Sequence, residues 1–533
     1  MSLLAGNHMT RTRNRNEVVV IGGGHNGLVA ACYLAKAGKK VTVVEASPTF
    51  GGMTSTNPVI PAAPQHMINE GGMDVSLLKE THIVEDLELE KFGFSMIPVD
   101  PIYAYLRPEG ESIVFWQSPE KTANEIKKFS KKDAAAYIEM ANDLELMMAM
   151  AVPYMRNHPI RINVLDMLRG FTKLLRHPKR SLGLTRFISA SHSEYIEENF
   201  EHDMVRGPLA AVVPFLPIKE EATAWMLIQF GFMHQKGVSR IRTGSGGLTN
   251  ALAKCLEAHG GSIKTNARVS EILIADGRAA GVTLSSGETI HAAGGVVAAC
   301  NIKNTIFDLL PEGTLSDKEI NQGKHIPVSA KMSSFKIDIA LKERVDMSKH
   351  QAWRDDDVDL RKTGMCWASY EDHIKAWDAC ARDELPKVLP TFNLIPSAND
   401  PSQAPEGMDT IWCWSGVAPT KPKGGWELNK PIAEANTMRD MVKYFANAES
   451  AEIGRRVMSV DDLSERFNVP GGNVYHVDTG VSRFGPFRPS PAFADFTTSV
   501  PGLVLSGGSM HPAAGIAGIP GMIAAKTMLR KFK

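Results

Sequence analysis

The chain has 533 residues, 43% of them hydrophobic and 22% charged, an ordinary globular composition with enough length for two or more cores. Its 59 Lys and Arg balance 59 Asp and Glu, so no global field favours nucleic acid or an anionic surface, and any such preference must be local. Six cysteines lie scattered without a C-x-x-C pair, which argues against a zinc site or a disulfide framework and is compatible with a reducing cytoplasmic compartment.

Residues 1–15 resemble an expression-vector remnant and lack the apolar run of a signal peptide, so they are set aside. The first informative stretch is Val18-Val19-Val20-Ile21-Gly22-Gly23-Gly24-His25-Asn26-Gly27. Its β-branched run predicts a buried parallel strand, and Gly22, Gly24 and Gly27 fill the glycine positions of G-x-G-x-x-G. The three glycines serve a tight turn, close backbone approach to a pyrophosphate, and tight packing of the following helix. That helix is expected over 28–37, and a second strand over 41–44 delivers Glu45, an acid placed to hold ribose hydroxyls and to repel a 2′-phosphate. The unit therefore binds an adenine dinucleotide; these residues leave FAD and NAD open.

After Glu45 and Ala46 come Gly51-Gly52-Met53 and then Glu70-Gly71-Gly72-Met73, two glycine doublets that let backbone approach a phosphate or a planar ring without a Cβ in the way. Residues 121–155 read as one helix, with Met147, Met148, Met150 and Met155 as core or as the lining of a pocket for a greasy substrate. Residues 167–190 carry Arg169, Lys173, Arg176, Lys179, Arg180 and Arg186 with no acid among them, interleaved with apolar side chains. They fit either a solvated helix face or a basic amphipathic surface against an anionic bilayer, and nucleic acid is a poor third.

A helix over 249–259 leads to strands at 262–265 and 269–275, with Asp276-Gly277 and Ser286-Gly287 as hairpin turns and a further strand at 295–299. Residues 305–468 mix charges, prolines and most of the tryptophans, among them Trp353, Trp367, Trp377, Trp412, Trp414 and Trp426, as an apolar cavity in a second domain would. His325, His350 and His373 stand isolated there and read as satisfied core or surface histidines. The last stretch runs from a strand at 503–505 through Ser506-Gly507-Gly508-Ser509-Met510-His511-Pro512 to Gly515-Ile516-Ala517-Gly518-Ile519 and a helix over 518–529. The run 496–525 carries no Asp, Glu, Lys or Arg, but its prolines and glycines would break a spanning helix, so burial against cofactor and core is the better reading.

Taken together, the glycine turn, the doublets and the closing segment resemble the amine oxidase and phytoene desaturase superfamily of FAD oxidoreductases, close to its pyridine-nucleotide-disulfide-oxidoreductase-domain branch. Met53 and Ala513-Ala514 depart from the superfamily, which usually places arginine after the doublet and glycines after the histidine-proline pair. The resemblance implies an α/β fold. A discontinuous Rossmann-like FAD domain (residues 16–82, 240–304 and 490–531) would carry an inserted α+β substrate domain with a helical lid (residues 83–239 and 305–489). It implies contacts to FAD from the glycine turn, His25, Asn26, Glu45, Ala46, both doublets with Met53 and Met73, Val269, Ala299, Cys300, Gly507, Gly508, His511, Gly515, Ile516, Gly518 and Ile519. The expected reaction is dehydrogenation of an apolar terpenoid, carotenoid-like or alicyclic substrate by hydride transfer to flavin N5, with His511 or Glu70 accepting the second proton. A single dinucleotide fingerprint points to oxygen or a quinone as electron acceptor rather than a second nicotinamide site. A redox-neutral isomerase and a non-catalytic membrane-associated flavoprotein are the alternatives.

Overall fold

In a computed structural model, residues 16–211, 217–513 and 515–532 are described; the remnant expected at 1–15 lies outside them. The apolar run after Asn16 forms the strand Glu17–Ile21, which is the centre of a five-stranded parallel sheet. In spatial order the sheet runs Ser262–Lys264, Lys40–Val44, Glu17–Ile21, Gly295–Ala298 and Leu503–Leu505. All four pairings are parallel, so beginning, middle and end of the chain lie side by side. Strands buried on both faces need cover. The helix His25–Lys36 supplies it, itself packed by Gly246–Ala258 and by the C-terminal helix Ile519–Lys531. The hairpin signals produce a three-stranded antiparallel sheet of Val269–Ala275, Arg278–Leu284 and Thr289–His291, with Asp276 and Gly277 both at positive φ in the first turn.

A seven-stranded mixed sheet stands beside this layer, in the order Glu452–Met458, Met332–Leu341, Asp409–Pro419, Phe392–Leu394, Gly364–Cys366, Tyr103–Leu106 and Ser112–Phe115. Among the described pairings of this sheet, that of Gly364–Cys366 with Tyr103–Leu106 is parallel and the rest are antiparallel. Every residue of Met332–Leu341 is buried, Lys336 and Asp338 included, which requires the two charges to pair with one another.

One helical expectation changes. The helix read over 121–155 is two, Pro119–Lys127 and Lys131–Arg156, because the Ser130 hydroxyl accepts from the backbone N–H of Asp133 and caps a new start. Met148 and Met155 pack with Val152, Ile228 and Phe232 as core rather than lining a pocket. The basic stretch forms Val164–Arg176 and Pro178–Ser189; Leu168, Phe171, Leu175, Leu182 and Ile188 are exposed there, while Leu184 and Phe187 are buried. Among the described residues no helix is long and apolar enough to cross a membrane.

Candidate active site

A cavity of about 790 Å3 opens where the carboxyl ends of the parallel strands meet the seven-stranded sheet. Its floor is the glycine turn. Gly22 holds φ at +98°, a value that L side chains rarely adopt, and a Cβ on Gly27 would sit 2.0 Å from the Gly22 carbonyl oxygen. The helix His25–Lys36 therefore starts hard against the strand, with its N–H groups and positive end directed at the cavity. Gly24 is the opposite case: it lines the cavity, and a Cβ there would meet nothing within 4 Å. That open space is the cradle a pyrophosphate needs.

Glu45, just past the second strand, accepts from the Gly23 N–H and the Ser47 N–H, both at 2.8 Å. Its carboxylate is thereby held at the end of the cavity where a ribose would lie. His25 closes the other side. Burial pushes its imidazole down to about 4, partly opposed by the bond to Gly515, so the ring is neutral at ordinary pH. A carbonyl can only accept, so Nε2–H donates to Gly515 O at 3.1 Å and Nδ1 accepts from the Thr54 hydroxyl at 2.9 Å. This clasp joins positions 490 residues apart in the chain.

The other expected contacts mostly gather on the same cavity. Asn26, Ala46, Gly51, Gly52 and Met53 line it from the first segment, and Gly71 and Gly72 from the second doublet. Val269, Ala299 and Cys300 arrive from the middle of the chain, and Gly507, Gly508, Gly515 and Ile516 from the end; Ala514 lies outside the described residues. Four do not line it. Met73 packs with Leu394 and Trp412 instead. Gly518 and Ile519 begin the C-terminal helix, and a Cβ on Gly518 would press on Ile83 and Val29, so their part is to seat that helix on the glycine-turn helix.

His511 is the fourth, and its Nδ1 has no hydrogen-bond partner among the described residues. Fully buried, it packs edge-on against Tyr154 and Phe484, with Nε2 at 3.3 Å from the Tyr154 carbonyl. Burial pushes the ring down to about 3, with Arg488 and His158 adding to the shift, and it touches the core rather than the cavity. Glu70 also stands apart from the lining. It is 0% exposed and off the cavity, with its carboxylate ion-paired to Arg466 at 2.7 Å and Arg456 at 3.0 Å and hydrogen-bonded by Ser55 and Asn57. Burial alone would raise this carboxyl, but the Arg466 bond and both guanidinium charges outweigh it and hold it at about 2. A carboxylate stabilised so strongly is a poor base; its work is to tie the second doublet to Glu452–Met458 and to the helix Val460–Phe467.

Beyond Gly71 and Gly72 the cavity becomes an aromatic chamber. Trp412 and Trp414 stack at 5.5 Å, Phe392 stands edge-on to Trp412, and Tyr103 and Phe230 face the same space. The Trp412 indole N–H donates to the Gly71 carbonyl at 3.0 Å, so the chamber wall is bonded to the doublet. Tryptophan enrichment signalled this wall, but Trp367, Trp377 and Trp426 turn out to be core and only Trp412 and Trp414 reach the cavity. Asp74 and His373 also line it, and neither stood out in the sequence as a site residue. Asp74 lies 3.4 Å from Arg240, and burial raises its carboxyl above the usual range, with Arg240 opposing. Among the described residues, no group of His, Cys, Asp and Glu is arranged to hold a metal.

A strand-turn-helix cradle facing an apolar chamber defines a dinucleotide-dependent oxidoreductase. Comparison with known proteins narrows this. Residues 27–373 match the family described as flavin containing amine oxidoreductase, about two-thirds of the chain, and the protein belongs to that family. Its cofactor is FAD. Pyridine nucleotide-disulfide oxidoreductase domain-containing protein 2 of Rattus norvegicus is 27% identical over 97% of this chain and 94% of its own. Phytoene desaturase (neurosporene-forming) of Cereibacter sphaeroides is 25% identical over 95% and 93%. An oxidoreductase from Methanosarcina mazei shares the fold, with a TM-score of 0.61 at 16% identity, covering 96% of this chain and all of that one.

Proposed function

We propose that this FAD-dependent oxidoreductase dehydrogenates an apolar terpenoid, carotenoid-like or alicyclic substrate. The observation that carries the reading is the continuity of one cavity from the glycine turn, past the Gly71-Gly72 doublet, into a chamber walled by Trp412, Trp414, Phe392 and Phe230. Such a wall favours hydrocarbon over charged groups. The phytoene desaturase relative supports the same substrate class. When bound, FAD supplies a two-electron acceptor for a hydride leaving substrate carbon. The residues of the chain do the rest: Glu45 and the glycine turn anchor the dinucleotide, the aromatic wall orients the substrate and excludes water, and Asp74 Oδ takes the proton that leaves the adjacent carbon. With one dinucleotide fingerprint, oxygen or a quinone fits the oxidative half better than a second nicotinamide site.

Anaerobic mixing of the FAD-loaded protein with terpenes, carotenes and alicyclic compounds tests this. Loss of the visible flavin absorbance with at least one of them is expected; no bleaching by any, with rapid bleaching by NADH instead, would sink it.

An apolar substrate also favours contact with a bilayer. Along Val164–Arg176 the side chains of Val164, Leu168, Phe171 and Leu175 form an exposed stripe, and Leu182 on the next helix is 74% exposed. Lys173, Arg176 and Lys179 beside them form no ion pair among the described residues, whereas Arg180 and Arg186 are held by acids. We read this hairpin as a peripheral contact with anionic lipid. Co-sedimentation with phosphatidylserine vesicles, lost in Leu168→Ser with Phe171→Ser and absent with neutral vesicles, is the expected result.

A further inference from the structure

His373 is 3% exposed and lines the cavity, yet neither ring nitrogen has a hydrogen-bond partner among the described residues. Its fellows fit the bland reading: His325 binds the Asn321 carbonyl and His350 the Arg107 carbonyl. An imidazole with both nitrogens idle inside a protein needs a partner that arrives from elsewhere. The helix that carries it, Tyr370–Ala381, packs on Asp203–Ala211 and on the strand Asp409–Pro419, so it belongs to the wall opposite the glycine turn. Cys366, Val417 and Pro208 line the same cavity and are poor partners for a ring nitrogen. Gln229 also lines the chamber and forms no hydrogen bond among the described residues.

We propose that His373 is a specificity residue that receives an uncharged oxygen function, a hydroxyl or carbonyl, at the end of the substrate remote from the dinucleotide. The substrate is then an apolar body with one polar terminus rather than a pure hydrocarbon. This rests on the dehydrogenation reading and narrows its substrate class. A neutral imidazole offers one donor and one acceptor, which together match a hydroxyl and singly match a carbonyl. Burial pushes the ring down to about 4, so it carries no charge to attract a carboxylate or phosphate at ordinary pH. A site built to hydrogen-bond an oxygen discriminates strongly against the analogue that lacks it, because the buried polar group is then left unpaired.

The test compares matched pairs, myrcene with geraniol and farnesene with farnesol, on the FAD-loaded full chain. Two readouts are taken: ligand-induced perturbation of the oxidised flavin spectrum, which reports binding, and anaerobic bleaching, which reports turnover. In the unaltered protein the alcohols should bind at least about tenfold tighter than their hydrocarbons. His373→Leu should erase that preference through the binding constant while leaving hydrocarbon binding within about twofold, and His373→Gln, which keeps a donor and an acceptor, should restore most of it. Equal binding of alcohol and hydrocarbon by the unaltered protein would overturn the inference, as would an unchanged preference in His373→Leu. If the Leu variant fails to hold FAD, His373→Phe, which likewise offers no donor or acceptor, takes its place: loss of the preference supports the inference and an unchanged preference overturns it. Bleaching by none of the four, with the alcohol preference present and dependent on His373, would count against dehydrogenation while sustaining the subsite.

Discussion

Two carboxylates four positions apart, Glu70 fully buried and Asp74 partly so, are assigned opposite work by their neighbours. Glu70 faces Arg466 and Arg456 and is held at about 2, below its ordinary 4.5. Because the folded value is the lower one, the stabilisation is fully present above about pH 4.5 and is lost as pH falls toward 2. Glu70→Gln should therefore cost about 3 kcal/mol at neutral pH, a deficit that shrinks through that acidic window in urea melts, while flavin reduction by a good substrate changes little. Asp74 lines the cavity with its carboxyl raised by burial. In the parent the rate should rise with pH as the Asp74 carboxyl ionises; Asp74→Asn should keep its FAD yet reduce the flavin about a hundredfold more slowly, with that rise flattened. Equal rates would return the proton-accepting role to some other group. No local pattern could have separated these two: both sit beside glycines or strands of similar sequence, and what differs is Arg466, 396 positions from Glu70, against the open chamber beside Asp74.

At the level of elements, legibility tracks distance along the chain. The strands at 17–21 and 503–505 and the hairpin at 269–284 were readable because β-branched runs and Asp-Gly or Ser-Gly turns are local signals. The break at Ser130 was missed although the residue is a good cap, because apolar positions on either side keep one helical phase. What the outward face of Val164–Arg176 meets stayed open for a different reason: Gly170 and Leu174 pack toward Lys131–Arg156, and the apolar residues on the far side have no partner within the chain. Close contact between the two ends of the chain depends on another small residue. A Cβ on Gly521 would lie 2.2 Å from the Asn26 carbonyl oxygen and 3.0 Å from the Ala30 amide. Gly521→Val should push the C-terminal helix off the glycine-turn helix, lowering apoprotein stability by roughly 1–3 kcal/mol in the same melts. Unchanged stability would mean that the two helices are not in contact in solution.

Across the whole molecule, FAD binding and folding are linked because the cavity is walled by segments from the start, middle and end of the chain, with His25 and Gly515 clasped across it. A ligand that binds only this assembled state stabilises it by mass action, by about 2.7 kcal/mol at a free concentration a hundredfold above its Kd. The contribution of the cradle can be separated from that of the fold at Gly24. Its backbone is already extended, at φ −68° and ψ 166°, and a side chain there would project into open cavity rather than into protein. Gly24→Val should accordingly leave the melting temperature of the apoprotein where it was and abolish the rise that added FAD produces, whereas Gly521→Val should lower the apoprotein itself. If instead Gly24→Val still melted higher with FAD, the dinucleotide would have to lie elsewhere than over the glycine turn. If it melted lower without FAD, the open space at Gly24 would be one that the apoprotein itself fills.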